Sequence, residues 1–211
     1  MKLYSTVTRQ AEAEQIIEKS RFIAYVAPAE TKEEADEFIA SVKKKHKDAT
    51  HNVPAMVLGD QFQIQWASDD GEPQGTSGAP IVQMLVQEGI TNVVVVVTRY
   101  FGGIKLGTGG LVRAYTGSAK LGLQAAGICD VCSMTSLAYK VDYPVFNKIQ
   151  NFPFTYRVKF ANIVYADTVS FELITVPDEA EEVQGIVTNL SGGRAILTGE
   201  TVQYEKIERL K

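Results

Sequence analysis

A run of five valines, Val93–Val97, limits the folds open to this chain more than any other stretch. Successive residues of a strand point to opposite faces of its sheet, so the segment "NVVVVVT" at 92–98 is apolar on both faces. Strands of this kind are buried on both sides. The run therefore predicts a central strand, and it is far too short to span a membrane as a helix.

The segments on either side of this strand have the spacing of an α+β domain. Thr31 and Glu34 have the spacing of a capping box, which predicts the start of a helix. In the segment after "GDQ", Phe62, Ile64 and Trp66 alternate with glutamines, which indicates a strand with one buried face. The predicted elements are a strand at 20–28, a helix from residue 31, a hairpin of 53–58 with 62–66, a helix at 80–87 that stops at Gly89, and a helix at about 109–124.

The C-terminal part of the chain has a different pattern. Its periodicity predicts the order strand, helix, strand, strand, helix, strand, which is the split βαβ order of ferredoxin-like domains. Asp178 and Glu181 are predicted to cap the second helix and Gly192 to end it. The predicted strands are 138–143, 156–165, 168–176 and 194–206, and the helices are 144–151 and 179–190. We therefore expect two domains, at 1–134 and 135–211.

The composition limits the functional classes. The net charge is −4, which excludes a uniformly basic nucleic-acid coat, so any nucleic-acid binding needs a local patch. The first 20 residues contain no apolar run, so we expect no signal peptide. The chain has two cysteines, which fits a reducing cytoplasm, so we expect a cytoplasmic protein. Cys129 and Cys132 form a C-x-x-C pair, but they lie in a strand-like segment without a second pair. We therefore expect neither a metal nor a cofactor.

The acidic turn "SDDGEPQGTSGAP" at 68–80 is the first candidate site. It brings Asp69, Asp70 and Glu72 together, and close carboxylates can act as acid and base or bind a divalent cation. With His51 as a base, they would form a small hydrolase site. A calcium loop does not fit, because no acidic residue occurs in the 15 positions after Glu72. Asp and Gly also favour turns, so the segment is more typical of a structural turn than of a catalytic or metal site.

The second candidate is the glycine-rich segment "RYFGGIKLGTGG" with the helix that follows it. No Asp or Glu occurs between Gly89 and Cys129, and this stretch carries four cations. Glycines that lead into a helix N-terminus allow phosphate to approach free backbone N–H groups, and the aromatic rings of Tyr100 and Phe101 could stack on bases. The alternative is that the cations pair with the acidic turn to form one structural site. The sequence leaves both interpretations open for Arg99, Lys105, Arg113 and Lys120.

Both candidate segments carry a family resemblance. The segment "DDGEPQGTSGAP" followed by "VVVTRYFGGIKLGTGGLVRAY", together with the earlier "EKSRFIA" and "DATHNVPA", resembles the signature of the IMPACT/YigZ family over most of residues 15–125. The C-terminal unit resembles the small domain of the bacterial two-domain branch. The matching positions are Arg21, His51, Asp69, Asp70, Glu72, Pro73, Gly75, Thr76, Gly78, Pro80, Arg99, Tyr100, Gly102, Gly103, Gly107, Thr108, Gly109, Gly110, Leu111 and Tyr115.

The resemblance implies a fold and a class of function. The large domain of the family is similar to the second domain of ribosomal protein S5 and to domain IV of elongation factor G, and the small domain is similar to domain V of that factor. This pairing implies binding to RNA or the ribosome. Eukaryotic relatives regulate translation by competing for the activator of an initiation-factor kinase, which implies a protein partner in translation control. The family implies no firm enzymatic activity.

We therefore predict an α+β translation regulator that binds RNA or the ribosome and no membrane. The alternatives are a small hydrolase that uses His51, Asp69, Asp70 and Glu72, and a non-catalytic interaction regulator that uses the exposed C-terminal sheet. The predicted nucleic-acid-binding residues are Arg99, Tyr100, Gly102, Gly103, Lys105, Gly107, Thr108, Gly109, Gly110, Arg113 and Lys120. The predicted structural motif consists of Arg21, Asp69, Asp70, Gly71, Glu72, Pro73, Gly75, Thr76, Gly78 and Pro80.

Overall fold

The computed structural model describes residues 2–155 and 157–208, and they form two compact α+β units. The larger unit contains Tyr4–Val131 with the last described residues, from Lys206. The smaller unit contains Cys132–Glu205 with the first described residues. None of the helices in residues 2–155 and 157–208 combines the length and the hydrophobicity that a membrane-spanning helix requires.

The chain forms ten strands and five α-helices within the described residues. Its first part contains β1 (Lys2–Val7), β2 (Ala11–Ile17), β3 (Ser20–Pro28), α1 (Lys32–Lys45), β4 (His51–Leu58), β5 (Ile64–Ala67), α2 (Gly78–Gln87), β6 (Val93–Tyr100) and α3 (Gly107–Ala126). The remainder contains β7 (Ile128–Val141), α4 (Tyr143–Gln150), β8 (Lys159–Tyr165), β9 (Val169–Thr175), α5 (Ala180–Ser191) and β10 (Ile196–Glu208).

The valine-rich strand β6 is central, as predicted. The sheet of the larger unit has the order β2-β3-β6-β4-β5, and β6 pairs antiparallel with both β3 and β4. Val93, Val95 and Val97 join the core that includes residues of α2 and α3. Val94 and Val96 join a second core, with residues of α1, because alternate side chains of a strand face opposite sides.

The helices of the larger unit agree with their sequence signals to within two residues. The Glu34 N–H donates to Thr31 Oγ1 (3.2 Å), and the Thr31 N–H donates to Glu34 Oε2 (3.4 Å), so the predicted capping box is present. Helix α2 begins at Gly78, two residues before the predicted proline start, and α3 extends two residues beyond its predicted bounds at each end.

The predicted hairpin is present, but its predicted buried face is wrong. Strands β4 and β5 pair antiparallel, yet Ile64 is 43% exposed and Trp66 is 44% exposed. The reason is that β5 is a four-residue edge strand, which lies outside the packed centre of the sheet. Phe62 precedes the strand in a left-handed conformation (φ 58°) and packs against the core instead.

The smaller unit has the predicted order of elements. Its strands are ordered β7-β9-β8, and β10 pairs with β7. Val145, Phe146 and Ile149 of α4 and Val183 and Val187 of α5 contribute buried side chains to its core. Strand β7 begins ten residues earlier than predicted. The predicted β8 strand began at residue 156, which lies outside the described residues.

The end signals of α5 agree only in part with the prediction. The Asp178–Glu181 cap is wrong, because a 3₁₀ turn at Pro177–Glu179 precedes the helix and its N-cap residue, Glu179, makes no side-chain capping bond. Gly192 ends α5 in the left-handed conformation (φ 61°), as predicted.

Candidate functional site

Asp69 caps helix α2. One carboxylate oxygen accepts hydrogen bonds from Ser77 Oγ (2.6 Å) and from the backbone N–H groups of Ser77 (3.2 Å) and Gly78 (3.0 Å). The other oxygen accepts from the Gly75 N–H (2.8 Å). Burial acts to raise the pKa of Asp69, but these bonds outweigh it and the pKa lies below its usual value. The carboxylate is therefore fully engaged in holding the turn to the helix.

Asp70 links the acidic turn to α1 and β4. Its carboxylate accepts from Lys43 Nζ (2.8 Å) and from the Asn52 N–H (2.7 Å). Partial burial acts to raise the pKa of Asp70, but the bonds from Lys43 and Asn52 more than compensate and lower it. The partner of Asp70 is thus a lysine of α1, and not one of the four cations that the sequence singled out.

Glu72 points into the fold and forms a buried ion pair. Its Oε1 lies 2.6 Å from Arg99 Nη1 and accepts a hydrogen bond from Tyr115 Oη at 2.7 Å. Glu72 is 8% exposed and Arg99 is 4% exposed. Burial, followed by the bond to Glu72, raises the pKa of Tyr115, so its hydroxyl remains protonated. Of the four predicted cations, Arg99 therefore pairs with the acidic turn, as the structural interpretation predicted, and it lies inside the fold.

His51 lies beside this ion pair on β4, opposite Arg99 in the strand register. Its Nδ1 lies 2.8 Å from the Asp70 carbonyl oxygen, and its Nε2 lies 3.7 Å from Glu72 Oε1. Because a carbonyl oxygen only accepts, Nδ1 carries a proton and Nε2 is the nitrogen that faces Glu72. The carboxylates of Asp69 and Asp70 are engaged elsewhere, so His51 and Glu72 are the only side chains of the predicted hydrolase set that adjoin each other.

A cavity of about 430 Å³ opens over this pair. Helix α3 begins at its wall without a side-chain cap on its first N–H groups and without an acidic residue in its first turn. Helix N-termini of this kind attract anions. The residues that line the cavity are Thr50, His51, Glu72, Pro73, Arg99, Phe101, Lys105, Leu106, Gly107, Thr108 and Leu111.

The loop between β6 and α3 is held in place by bonds to two neighbouring segments. The Phe101 N–H donates to Thr50 Oγ1 (3.0 Å), and the Gly102 N–H donates to Ser20 Oγ (3.1 Å). A Cβ atom on Gly102 would lie 2.1 Å from the backbone of Lys19, so only glycine fits this close approach. The Phe101 ring is 46% exposed, and the guanidinium carbon of Arg99 lies 5.3 Å from the ring centroid.

Two of the four predicted cations form the basic face, which we define as Lys105, Arg113, Phe101 and the first turn of α3. Lys105 and Arg113 are exposed, and neither has an ion-pair partner within residues 2–155 and 157–208. A second cavity, of about 470 Å³, is lined by Lys105, Leu106 and Arg113 and so adjoins the first. Lys120 lies further along α3, where it pairs with Glu88 (2.6 Å).

Two other predicted residues are engaged elsewhere. Arg21 pairs with Glu14 (2.7 Å) on the exposed side of β3. The Tyr100 hydroxyl lies 2.8 Å from His46 Nδ1, and Tyr25 Oη lies 2.6 Å from the other ring nitrogen, so Tyr100 belongs to a half-buried network. The remaining predicted residues lie in the acidic turn (Gly71, Pro73, Gly75, Thr76), at the start of α2 (Gly78, Pro80), and in the loop and first turn of α3 (Gly102, Gly103, Gly107, Thr108, Gly109, Gly110).

The described part of the chain contains no group of three or more His, Cys, Asp or Glu side chains that could hold a metal ion.

Two partners of the acidic turn were not predicted from the sequence: Lys43, which binds Asp70, and the Tyr115 hydroxyl, which binds Glu72. Nothing in the sequence distinguishes Lys43 from the other lysines at that helix end. Tyr115 could have been identified, because a buried tyrosine among apolar helix positions usually has a hydrogen-bond partner for its hydroxyl.

Comparisons with known proteins place this site in a family context. The Impact N-terminal domain family matches residues 18–123. The chain is 41% identical over 204 residues to IMPACT family member YvyE of Bacillus subtilis, covering 96% of this chain and 94% of the relative. It is 46% identical over 110 residues to IMPACT family member YigZ of Escherichia coli, covering 51% and 54%. A crystal structure titled as that of a hypothetical protein matches over the full length of both chains, with a TM-score of 0.58 and 31% identity.

Proposed function

Because the chain belongs to the IMPACT family, as its motifs predicted, we propose that it is a cytoplasmic translation regulator that binds RNA or the ribosome through the basic face. One observation carries the proposal: Lys105 and Arg113 are exposed beside the uncapped start of α3, without ion-pair partners among the described residues. Cations of this kind bind phosphate oxygens. Because the net charge is −4, the binding depends on this local patch.

The neighbouring groups suit a single strand better than a duplex. Exposed aromatic rings stack on unpaired bases, and Phe101 is held by its backbone bond to Thr50 and backed by the Arg99 guanidinium. The two cavities meet at Lys105 and Leu106, so adjacent nucleotides could occupy one each. Lys105 would then contact the phosphate between them, and Arg113 the phosphate of the second.

We also propose finer fold assignments. The larger unit would have the fold of the second domain of ribosomal protein S5, and the smaller unit the ferredoxin-like fold. The strand order β8-β9-β7-β10, with α4 and α5 inserted after β7 and β9, supports the second assignment. Both assignments are consistent with RNA or ribosome binding, because the resemblance pairs these folds in a ribosomal factor.

Co-sedimentation with ribosomes, and titration with a single-stranded RNA, would test the basic face. Two phosphate contacts predict a log–log slope of affinity against salt of about −1.4 for a single strand. Lys105→Glu and Arg113→Glu should each abolish binding at moderate salt. Lys148→Glu is the matched control, since Lys148 is exposed on α4 in the smaller unit and its replacement makes the same change in charge. Equal binding by all four proteins would remove the basic face as the site.

One further observation favours a second candidate, a protein-interaction regulator. Strand β10 exposes Ile196, Val202 and Tyr204, and large apolar side chains exposed along a strand are typical of interaction surfaces. A partner bound there would survive nuclease and high salt. The partner should no longer bind the Tyr204→Glu variant and should still bind the Lys105→Glu variant. The reverse pattern would assign the partner to the basic face.

A further inference from the structure

Strand β10 has one edge that no other strand covers. It pairs with β7, and no second strand of residues 2–155 and 157–208 pairs with it. The strand is 13 residues long, whereas strands of globular proteins usually have about 5–6 residues. An uncovered edge presents a row of backbone N–H and C=O groups that can pair with a strand of another chain. A long uncovered strand is therefore a candidate interface.

The edge strands β8, β5 and β2 carry features that oppose such pairing. The register of β8 is irregular between Ala161 and Val164, and Asn162 within this stretch adopts the left-handed conformation (φ 49°). Strand β5 has four residues. Strand β2 carries Glu12 and Glu14, which both form ion pairs. Irregular register, short length and charged side chains are the usual protections of a sheet edge.

The side chains of β10 favour pairing instead. The strand contains no proline, and Ile196, Val202 and Tyr204 are large, apolar and exposed. These three residues lie on one face of the strand, because alternate residues point to the same side. Glu200 and Lys206 lie on that face too, and both are exposed. One face of β10 thus carries apolar groups between two opposite charges.

We propose that β10 forms a homodimer interface, in which the β10 strands of two copies pair antiparallel about a two-fold axis at Gln203. An axis perpendicular to the sheet keeps each face on its own side, so residues of the same face lie opposite each other. Val202 of one copy then lies opposite Tyr204 of the other, and Glu200 lies opposite Lys206. The symmetry repeats both pairs. Aromatic side chains opposite β-branched ones, and opposite charges, stabilise paired strands.

The charges of β10 favour this register over its neighbours. An axis one residue before Gln203 would place Lys206 opposite the uncharged Thr198. An axis one residue after Gln203 would place Glu200 opposite Glu208, and like charges directly opposite each other destabilise a strand pair. The strand is therefore complementary to a second copy of itself. This inference rests on the interaction surface proposed for β10 and names its partner, and it does not depend on RNA binding by the basic face.

Charge variants test the interface through the association of the full chain. Sedimentation equilibrium over a wide range of protein concentrations would measure the dissociation constant of the dimer. Glu200→Lys and Lys206→Glu should each raise this constant at least about tenfold, because each change places like charges opposite each other twice. An equimolar mixture of the two variants should regain the affinity as a heterodimer, since both opposed pairs then join a lysine to a glutamate. Native mass spectrometry with one variant isotope-labelled would identify the heterodimer.

Cysteine variants test the register without reversing a charge. Gln203→Cys should form a disulfide between copies on oxidation, because position 203 lies opposite itself. Thr201→Cys is the matched control on the same strand. Its two copies would be displaced by four residues, about 14 Å along the strands, which is beyond the reach of a disulfide. The wild type, with Cys129 and Cys132, shows the background of cross-linking.

The outcomes separate the homodimer from the other proposals. A wild-type chain that stays monomeric, a mixture no tighter than the separate charge variants, or equal cross-linking at positions 201 and 203 would each overturn the homodimer. If the chain is monomeric and a different protein fails to bind only the Tyr204→Glu variant, the interaction surface stands and the homodimer is refuted. Lys105→Glu should dimerise as the wild type does, so loss of RNA binding by that variant leaves the dimer intact.

Discussion

Replacing Arg99 with methionine should destabilise the larger unit more than most single substitutions. The change keeps an unbranched side chain against Phe22 and Phe101 but leaves the Glu72 carboxylate buried without its counterion. Glu72 would retain one hydrogen bond, from Tyr115, and His51 at 3.7 Å. Breaking a buried ion pair in this way costs about 3–5 kcal/mol, because the remaining charge is desolvated and unpaired.

Urea unfolding, followed by the fluorescence of Trp66, is the suitable assay. Trp66 is the single tryptophan and lies in the same unit as the ion pair, so its signal reports on that unit even if the two units unfold separately. The double variant Glu72→Leu/Arg99→Met removes both charges and should be more stable than Arg99→Met alone. A loss below about 1 kcal/mol for Arg99→Met, or strict additivity of the two single changes, would refute the ion-pair argument.

Three further substitutions or conditions have defined outcomes. Asp69→Ala removes the carboxylate that accepts from the first N–H groups of α2 and should lower the free energy of unfolding by about 1–2 kcal/mol. The loss for Asp69→Asn should be smaller, and equal losses would argue against this capping role. Because the pKa values of Asp69 and Asp70 are lowered by folding, their contribution to stability is present above the unfolded value of about 3.9 and is lost as the pH falls through the folded values. Urea midpoints measured from neutral pH downward should therefore decline less steeply for Asp69→Asn than for the wild type. Gly102→Ala should be strongly destabilising, since the new Cβ would overlap the Lys19 backbone. Gly185→Ala in α5 is the control, because a Cβ there has no neighbour within 4 Å, and it should raise the free energy of unfolding by about 1 kcal/mol. Comparable melting temperatures for the two variants would contradict the contact at Gly102.

The sequence predicted features that depend on local pattern. The valine run of β6 identified the centre of the sheet, because a strand that is apolar on both faces can only lie between two layers. The Thr31 capping box and the left-handed Gly192 marked helix ends, because such signals act within a few residues.

The pairing of charges was not predictable in the same way. The sequence is compatible with several pairings between the carboxylates of the acidic turn and the nearby cations. Arg99 pairs with Glu72 because of how β4, β6 and α3 pack together in the fold. Asp70 binds Lys43, which is 27 positions away on another element. The exposure of Ile64 and Trp66 likewise depends on β5 lying at the sheet edge, which its alternation does not encode.

The anchoring of the loop between β6 and α3 bears on the thermodynamics of association. Phe101 and Gly102 are held by bonds to Thr50 and Ser20, and Gly102 lies directly against the Lys19 backbone. A ligand that docks on Phe101 and the start of α3 therefore meets a surface that needs little ordering. The entropic penalty of binding then falls mainly on the ligand and on the Lys105 and Arg113 side chains, so even a short ligand can retain most of its contact energy as affinity.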